Sequence, residues 1–252
     1  MRLLAFDTST DAMSIALSAP QDGVVRCWEH SAPGGARASA ALIPAIMDLM
    51  RQAGLEFEQL DAIAFGRGPG AFTGLRTACS VAQGLAFGVE GKTGGRGVPV
   101  LPVDTLLAVA EEARFRRAPD NRSLRVLALL DARMDQVYAA GYAFDGSAWQ
   151  SVHGPLLERP EDVARDTDWL GAGGIFAGNV FNTYGHRIAK GPGTPRVDAL
   201  PSACAMLRLA PALLAAGHAV APEHALPLYI RDKVAQTSSE RLAAKAALAS
   251  CA

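Results

Sequence analysis

Short apolar runs and longer amphipathic stretches alternate along the chain, the order expected of mixed β-sheets covered by helices. Leu3 to Phe6 is an apolar run of strand length ending in the polar turn Asp7-Thr8-Ser9-Thr10-Asp11. Met13 to Ser18 reads as the returning strand of a hairpin, and Val24 to Glu29 as a third strand. Ala36 to Ala53 predicts a helix from about Ser39, with Pro44 kinking it or marking a late start. Leu42, Ile46 and Leu49 form one apolar stripe along it, and Ile43, Met47 and Met50 a second. A helix wetted on one face needs one stripe. The second implies burial against another body, although a helix inside one large core would show the same pattern.

Asp61 to Phe65 is again of strand length, and Gly66, Gly68, Pro69 and Gly70 then reverse the chain. A helix follows to about Phe87, with Thr73 as its expected cap. Gly74, Ala78, Ala82 and Ala86 recur every four residues, a row of small side chains that reads as a groove for a second helix. Leu75, Cys79, Val81, Leu85 and Phe87 flank it. The turn can be a phosphate cradle or a plain strand-to-helix turn, and the signature lysine of a P-loop is missing. Val98 to Val103 closes this half as a strand.

The strand and aspartate-turn pattern then returns. Val126 to Leu130 is apolar, Asp131 and Asp135 follow, and Val137 to Tyr142 comes back, so both aspartates of the first turn recur 124 residues later. Such an internal repeat predicts two duplicated lobes, residues 1–103 and 104–234, with 235–252 as a frayed or helical tail. A helix from Asp104 to about Phe115 joins the lobes. Past it Arg114, Arg116, Arg117, Arg122 and Arg125 form a basic cluster, read either as a solvated loop or as a local contact for a nucleic-acid backbone. In the second lobe the sequence predicts a strand and turn at Trp149 to Pro155 and a short helix at Pro160 to Arg165. The glycine-rich Leu170 to Asn179 reads as a strand before a helix, Lys190 to Pro201 as a Pro and Gly loop, Ser202 to Ala216 as a helix, and Ala225 to Val234 as the end of the fold.

Half of the 252 residues are apolar and the formal net charge is −1, which fits a globular body with a sizeable core and excludes a strongly basic one. No apolar run reaches the length of a bilayer span and none near the start reads as a signal peptide, so the expectation is a cytoplasmic protein without membrane contact. Cys27, Cys79, Cys204 and Cys251 lie far apart, which predicts reduced, mostly buried thiols. The five histidines show no metal-ligand spacing, and no G-x-S-x-G nucleophile motif is present. Neither a catalytic residue nor a metal ligand is therefore assigned.

Five segments in order, LLAFDTSTDAMSIAL, GPGAFTGLR, LPVDTLLAVA, DARMDQVYAA and ALPLYIRDK, resemble the bacterial TsaB (YeaZ) family from Met1 to about Lys233. The resemblance implies an α/β fold of two duplicated actin-like (ASKHA, RNase H-like) lobes, each a mixed β-sheet with helices. It further implies a non-catalytic subunit that binds and stabilises the TsaD transferase in making N6-threonylcarbamoyladenosine in tRNAs reading ANN codons. TsaE would be a further partner, tRNA would be met through the complex, and the free chain would be a homodimer. In catalytic relatives both aspartate turns face a nucleotide; here Asp7, Thr8, Ser9 and Asp131 are the corresponding residues, but the second turn has no glycine and puts bulk where backbone would meet phosphate. No cofactor of its own is expected, with ATP or ADP at the partner interface. The histidine pair of TsaD relatives is replaced around Arg37 to Leu42. The expected partner surface comprises Leu42, Ile43, Ile46, Met47 and Met50 of the first helix, with Gly74, Leu75, Ala78, Cys79, Ala82, Leu85 and Ala86 of the second. Contact with tRNA would fall to Arg114, Arg116, Arg117 and Arg122. The competing readings are an active ATPase, kinase or glycoprotease-like peptidase of the same fold, and a stand-alone tRNA-binding module.

Overall fold

The computed structural model describes residues 1–93, 97–117, 123–188 and 194–231. Two five-stranded sheets share one topology. In the first, β1 (Leu3–Asp7) lies between antiparallel β2 (Ala12–Gln21) and parallel β4 (Ala62–Gly68), with β3 (Val24–Pro33) and β5 (Val100–Asp104) at the edges. In the second, β6 (Leu124–Arg133) lies between antiparallel β7 (Gln136–Phe144) and parallel β9 (Ile175–Gly178), with β8 (Trp149–Glu158) and β10 (Arg196–Asp198) outside. The two orders match strand for strand, so the repeat expected from the aspartate turns is a repeat of whole sheets.

Helices α3 (Thr105–Arg117) and α5 (Ala203–Ala215) fill the layer between the sheets, and one continuous core joins Ala5, Ala64 and Val103 of the first sheet to Ala128, Tyr142 and Ala177 of the second. α3 is buried over its first nine residues, Glu111 and Glu112 included. On the far side of the first sheet, α1 (Ala38–Ala53) and α2 (Phe72–Thr93) enclose a separate core around Leu4, Phe6, Leu42, Ile46 and Phe65. Pro44 falls in the second turn of α1, where the helix continues through it, and Gly54 ends the helix in the left-handed conformation.

Several local expectations change. Thr73 lies inside α2 instead of capping it, and its carbonyl accepts from Thr77 Oγ1 at 2.9 Å. The helix start is held from the aspartate turn, where the Ala71 N–H donates to the Ser9 carbonyl at 2.7 Å. Residues 160–164 form turns and no helix, while the expected loop 190–201 contains β10. The stretch after α5 also leaves its own lobe. Val220 bridges to Val100, Leu228 N–H donates to the Arg67 carbonyl, and Ala225 accepts from Cys79 and Gln83 on α2. A cut at 103/104 therefore describes the two sheets but not the helices and the C-terminal stretch. The expected tail 235–252 lies outside the described residues.

Candidate functional site

The two aspartate turns face each other across the gap between the sheets. In the first, the β1–β2 register turns the Asp7 side chain inward, leaving it 1% exposed. Ser9 donates to Asp7 Oδ1 twice, through its N–H at 2.8 Å and its hydroxyl at 2.7 Å. Asp7 Oδ2 is buried without a hydrogen-bond partner. Gly66 supplies the room for it, because a Cβ at that position would stand 1.8 Å from Oδ2. Burial pushes the Asp7 carboxyl up to about 6, against the smaller opposing effect of the Ser9 bonds and of nearby Thr105.

The sign of the consequence is fixed. Neutral Asp7 contributes stability that is complete below the unfolded value near 3.8 and is lost as pH rises through about 6. Asp7→Asn removes that titration. Its stability relative to wild type should therefore increase by roughly 2 kcal/mol between pH 4 and pH 8. Urea unfolding of both proteins at the two pH values measures this, and a pH-independent difference would show that Asp7 does not carry a buried charge.

The second turn is built differently. Asp131 N–H donates to Asn179 Oδ1 at 2.9 Å, Asp131 Oδ1 accepts from Arg133 N–H at 2.7 Å, and Tyr184 Oη donates to it at 3.3 Å. Arg133, Met134 and Asp135 are three successive residues with φ of 60°, 54° and 61°, a conformation that costs about 1 kcal/mol or more per non-glycine residue. That strained hairpin projects the Arg133 guanidinium across the gap to Asp11 of the first turn, while its other arm reaches Asp131. Asp135 is held in turn by Arg187. The space left between the turns is about 80 Å³, several-fold smaller than the roughly 300 Å³ at which small-molecule sites begin. That is small for a nucleoside triphosphate while the exposed Arg133–Asp11 pair spans the two turns. Sequence reasoning saw bulk in the second turn but missed that Arg133 reaches across the cleft to Asp11; its position two residues after the repeated aspartate was the available signal.

The expected partner residues divide by exposure. Leu42, Ile46 and Met50 point into the core under α1, and Gly74, Leu75, Ala78, Cys79, Ala82 and Ala86 are buried on α2. This corrects the groove reading. The small-residue row lets α2 lie close to its own sheet and the aspartate turn, so it faces inward and offers no surface to another molecule. Gly74 shows why smallness is needed, since Thr8 Oγ1 donates to its carbonyl at 2.7 Å. Ile43 at 49% and Met47 at 52% remain outside on α1, Phe87 is exposed on α2, and Leu85 is half-buried. Of the second stripe, only Met50 is drawn into the core.

The basic cluster also disperses. Arg114 is half-buried, bonds both oxygens of Glu111 at 2.8 and 2.9 Å, and lies over the Phe144 ring. Arg116 donates to Glu112 at 2.6 Å. Arg117 is exposed, and Arg122 lies outside the described residues. Arg114 and Arg116 are thus each paired with a glutamate of their own helix, and the expected cluster is not a run of unpaired cations.

A family model described as "TsaD: tRNA N6-adenosine threonylcarbamoyltransferase" matches residues 30–174. The tRNA threonylcarbamoyladenosine biosynthesis protein TsaB of Escherichia coli is 35% identical over 239 residues, covering 93% of this chain and 96% of its own. This chain belongs to the TsaB family. YeaZ from Pseudomonas aeruginosa has the same fold, with a TM-score of 0.76, 37% identity and coverage of 90% of this chain and 99% of that one. A second solved structure, titled as an uncharacterized protein with similarity to peptidase YEAZ from the same organism, covers 91% of this chain and 99% of its own, at 36% identity and a TM-score of 0.76. The duplicated sheets of this TsaB-family chain are thus the two actin-like lobes. Among the described residues there is no group of three His, Cys, Asp or Glu placed to hold a metal ion, and no helix is long and apolar enough to cross a membrane.

Proposed function

We propose that this TsaB-family chain is a non-catalytic subunit that holds a TsaD transferase on the outer face of α1 and α2, in the pathway that makes threonylcarbamoyladenosine in tRNA. The observation that carries the reading is Ile43 and Met47 on α1 together with Phe87 on α2, large apolar side chains left in solvent on the same side of the first sheet. Apolar groups grouped on one face are a common mark of an interface. The chemistry is supplied by the partner: the cleft here is narrow and bridged by the Arg133–Asp11 pair, and Asp7 is buried against Ser9 and Gly66. TsaE joins the same assembly, any ATP or ADP binds at the subunit interface, and tRNA is met through the complex, a reading supported by the internal pairing of Arg114 and Arg116, two of the four arginines expected to touch it.

The double variant Ile43→Asp/Met47→Asp tests this. Both side chains are about half exposed, so folding should be little changed, whereas two charges in a buried contact should weaken TsaD binding by about 100-fold or more. Pull-down with TsaD and light scattering of the free chain are read together. Undiminished capture by a folded variant would remove the face from the TsaD contact. Loss of a homodimer alone would assign the face to a second copy. ATP turnover by the purified chain that Asp7→Ala abolishes would favour the ATPase reading instead.

A further inference from the structure

Away from the aspartate turns and the α1–α2 face, an open pocket of about 780 Å³ lies between edge strand β3 and helices α3 and α5. Two thiols from distant parts of the chain meet on its wall. Cys27 is exposed on β3, opposite Ser18 of β2, and Cys204 is half-buried in the first turn of α5. Both line that pocket, and Cys204 Sγ lies 3.1 Å from Glu29 Oε2, which stands two residues along β3 from Cys27 and on the same face. The expectation of mostly buried thiols thus holds for Cys79 but not for this pair.

We propose that Cys27 and Cys204 form a modification site, a dithiol that hydroperoxides convert into a reversible disulfide tying β3 to α5. The arrangement divides the roles. The contact with Cys204, helped by the charge of Arg208, outweighs burial and Glu29 and holds the Cys27 thiol down at about 7, so a substantial fraction is thiolate at neutral pH. Cys204 is pushed the other way, by its contact with Cys27, by burial and by Glu29, and keeps its proton. Cys79 supplies the contrast: its thiol donates to the Ala225 carbonyl at 2.9 Å, and burial pushes it up.

The steps balance. The Cys27 thiolate attacks the terminal oxygen of the hydroperoxide, the O–O bond breaks, the alkoxide leaves and takes from solvent the proton that Cys27 had released, giving the alcohol, and Cys27 becomes a sulfenic acid. The Cys204 proton passes toward the Glu29 carboxylate, and the freed sulfur attacks the sulfenic sulfur. The S–O bond breaks and hydroxide leaves, taking that proton as water. Two thiols lose two electrons, and one hydroperoxide becomes one alcohol and one water. The bond would fasten the edge of the first sheet to the helix between the sheets.

Hydrogen peroxide with the folded full-length chain tests the proposal. Treatment near one equivalent should lower the intact mass by about 2 Da. Digestion without reduction should give one linked peptide pair carrying Cys27 and Cys204, which dithiothreitol separates. In Cys204→Ser the reaction should stop at a Cys27 sulfenic acid trapped by dimedone. In urea-unfolded chain the preference for Cys27 should disappear. Modification of Cys79 or Cys251 before Cys27, or oxidation of Cys27 in the wild type with no bond to Cys204, would overturn the proposal.

Discussion

Gly74→Ala is expected to destabilise the protein by about 3–5 kcal/mol, and Gly84→Ala, in the same helix, to stabilise it by up to about 1 kcal/mol. A Cβ at Gly74 would stand 1.8 Å from the Thr8 carbonyl oxygen and 2.8 Å from its carbon, both backbone atoms of the aspartate turn. Neither the turn nor α2 can yield without losing the bond from Thr8 Oγ1 to the Gly74 carbonyl and the one from Ala71 N–H to the Ser9 carbonyl. Gly84 has nothing within 4 Å of its missing Cβ and is exposed, so alanine there gains helix propensity alone. Urea unfolding of the isolated chain reads both signs. Equal effects at the two positions would mean that backbone entropy, and not the contact with Thr8, sets the requirement for glycine at 74.

The second large effect lies between the sheets. Arg208 of α5 donates from Nε to Glu111 at 2.8 Å and from Nη2 to Glu112 at 2.9 Å, and its guanidinium lies 4.0 Å over the Phe115 ring. Trp149 Nε1 and Ser202 Oγ donate to the same two carboxylates. Burial pushes both glutamates up, but the bonds from Arg114, Trp149 and Arg208 on Glu111, and from Ser202, Arg116 and Arg208 on Glu112, outweigh it and hold both below the usual range. Stability from a depressed carboxyl is present above its unfolded value and lost as pH falls through the folded one. Arg208→Ala should therefore cost about 3 kcal/mol at pH 7, where two buried anions lose a shared cation. The difference from wild type should shrink below about pH 4, as the glutamates take up protons. Unfolding curves at pH 7 and pH 3.5 measure it. A loss of the same size at both would assign the effect to packing on Phe115 instead of charge.

Much of the fold is legible along the chain because it rests on neighbours in sequence. The apolar runs at Leu3 to Phe6 and Val126 to Leu130, each followed by an aspartate turn and a returning strand, needed only the period of side chains in a strand. The last helix was legible over Ser202 to Ala216, and the structure makes Ser202 its cap, with the hydroxyl accepting from Ala205 N–H. The α1–α2 surface was readable in part. Spacing identified the two stripes of α1, but not which of them the first sheet covers. Nor could it show that the row from Gly74 to Ala86 faces the chain's own sheet and turn, since small residues every four positions serve close packing in either direction.

Local periodicity alone set the repeat of two strand and aspartate-turn units and the helices around them, and five short segments in order carried the resemblance to the TsaB family that 35% identity to a relative then showed. Tertiary structure decided the rest. It set Arg133 into the cleft, paired the arginines near 114 with Glu111 and Glu112, left Ile43 and Met47 outside while drawing Met50 in, and brought Cys27 beside Cys204. Each of these depends on groups far apart in the chain, whose distance is fixed only when the two sheets close on α3 and α5, and side-chain period along one element carries no record of that distance.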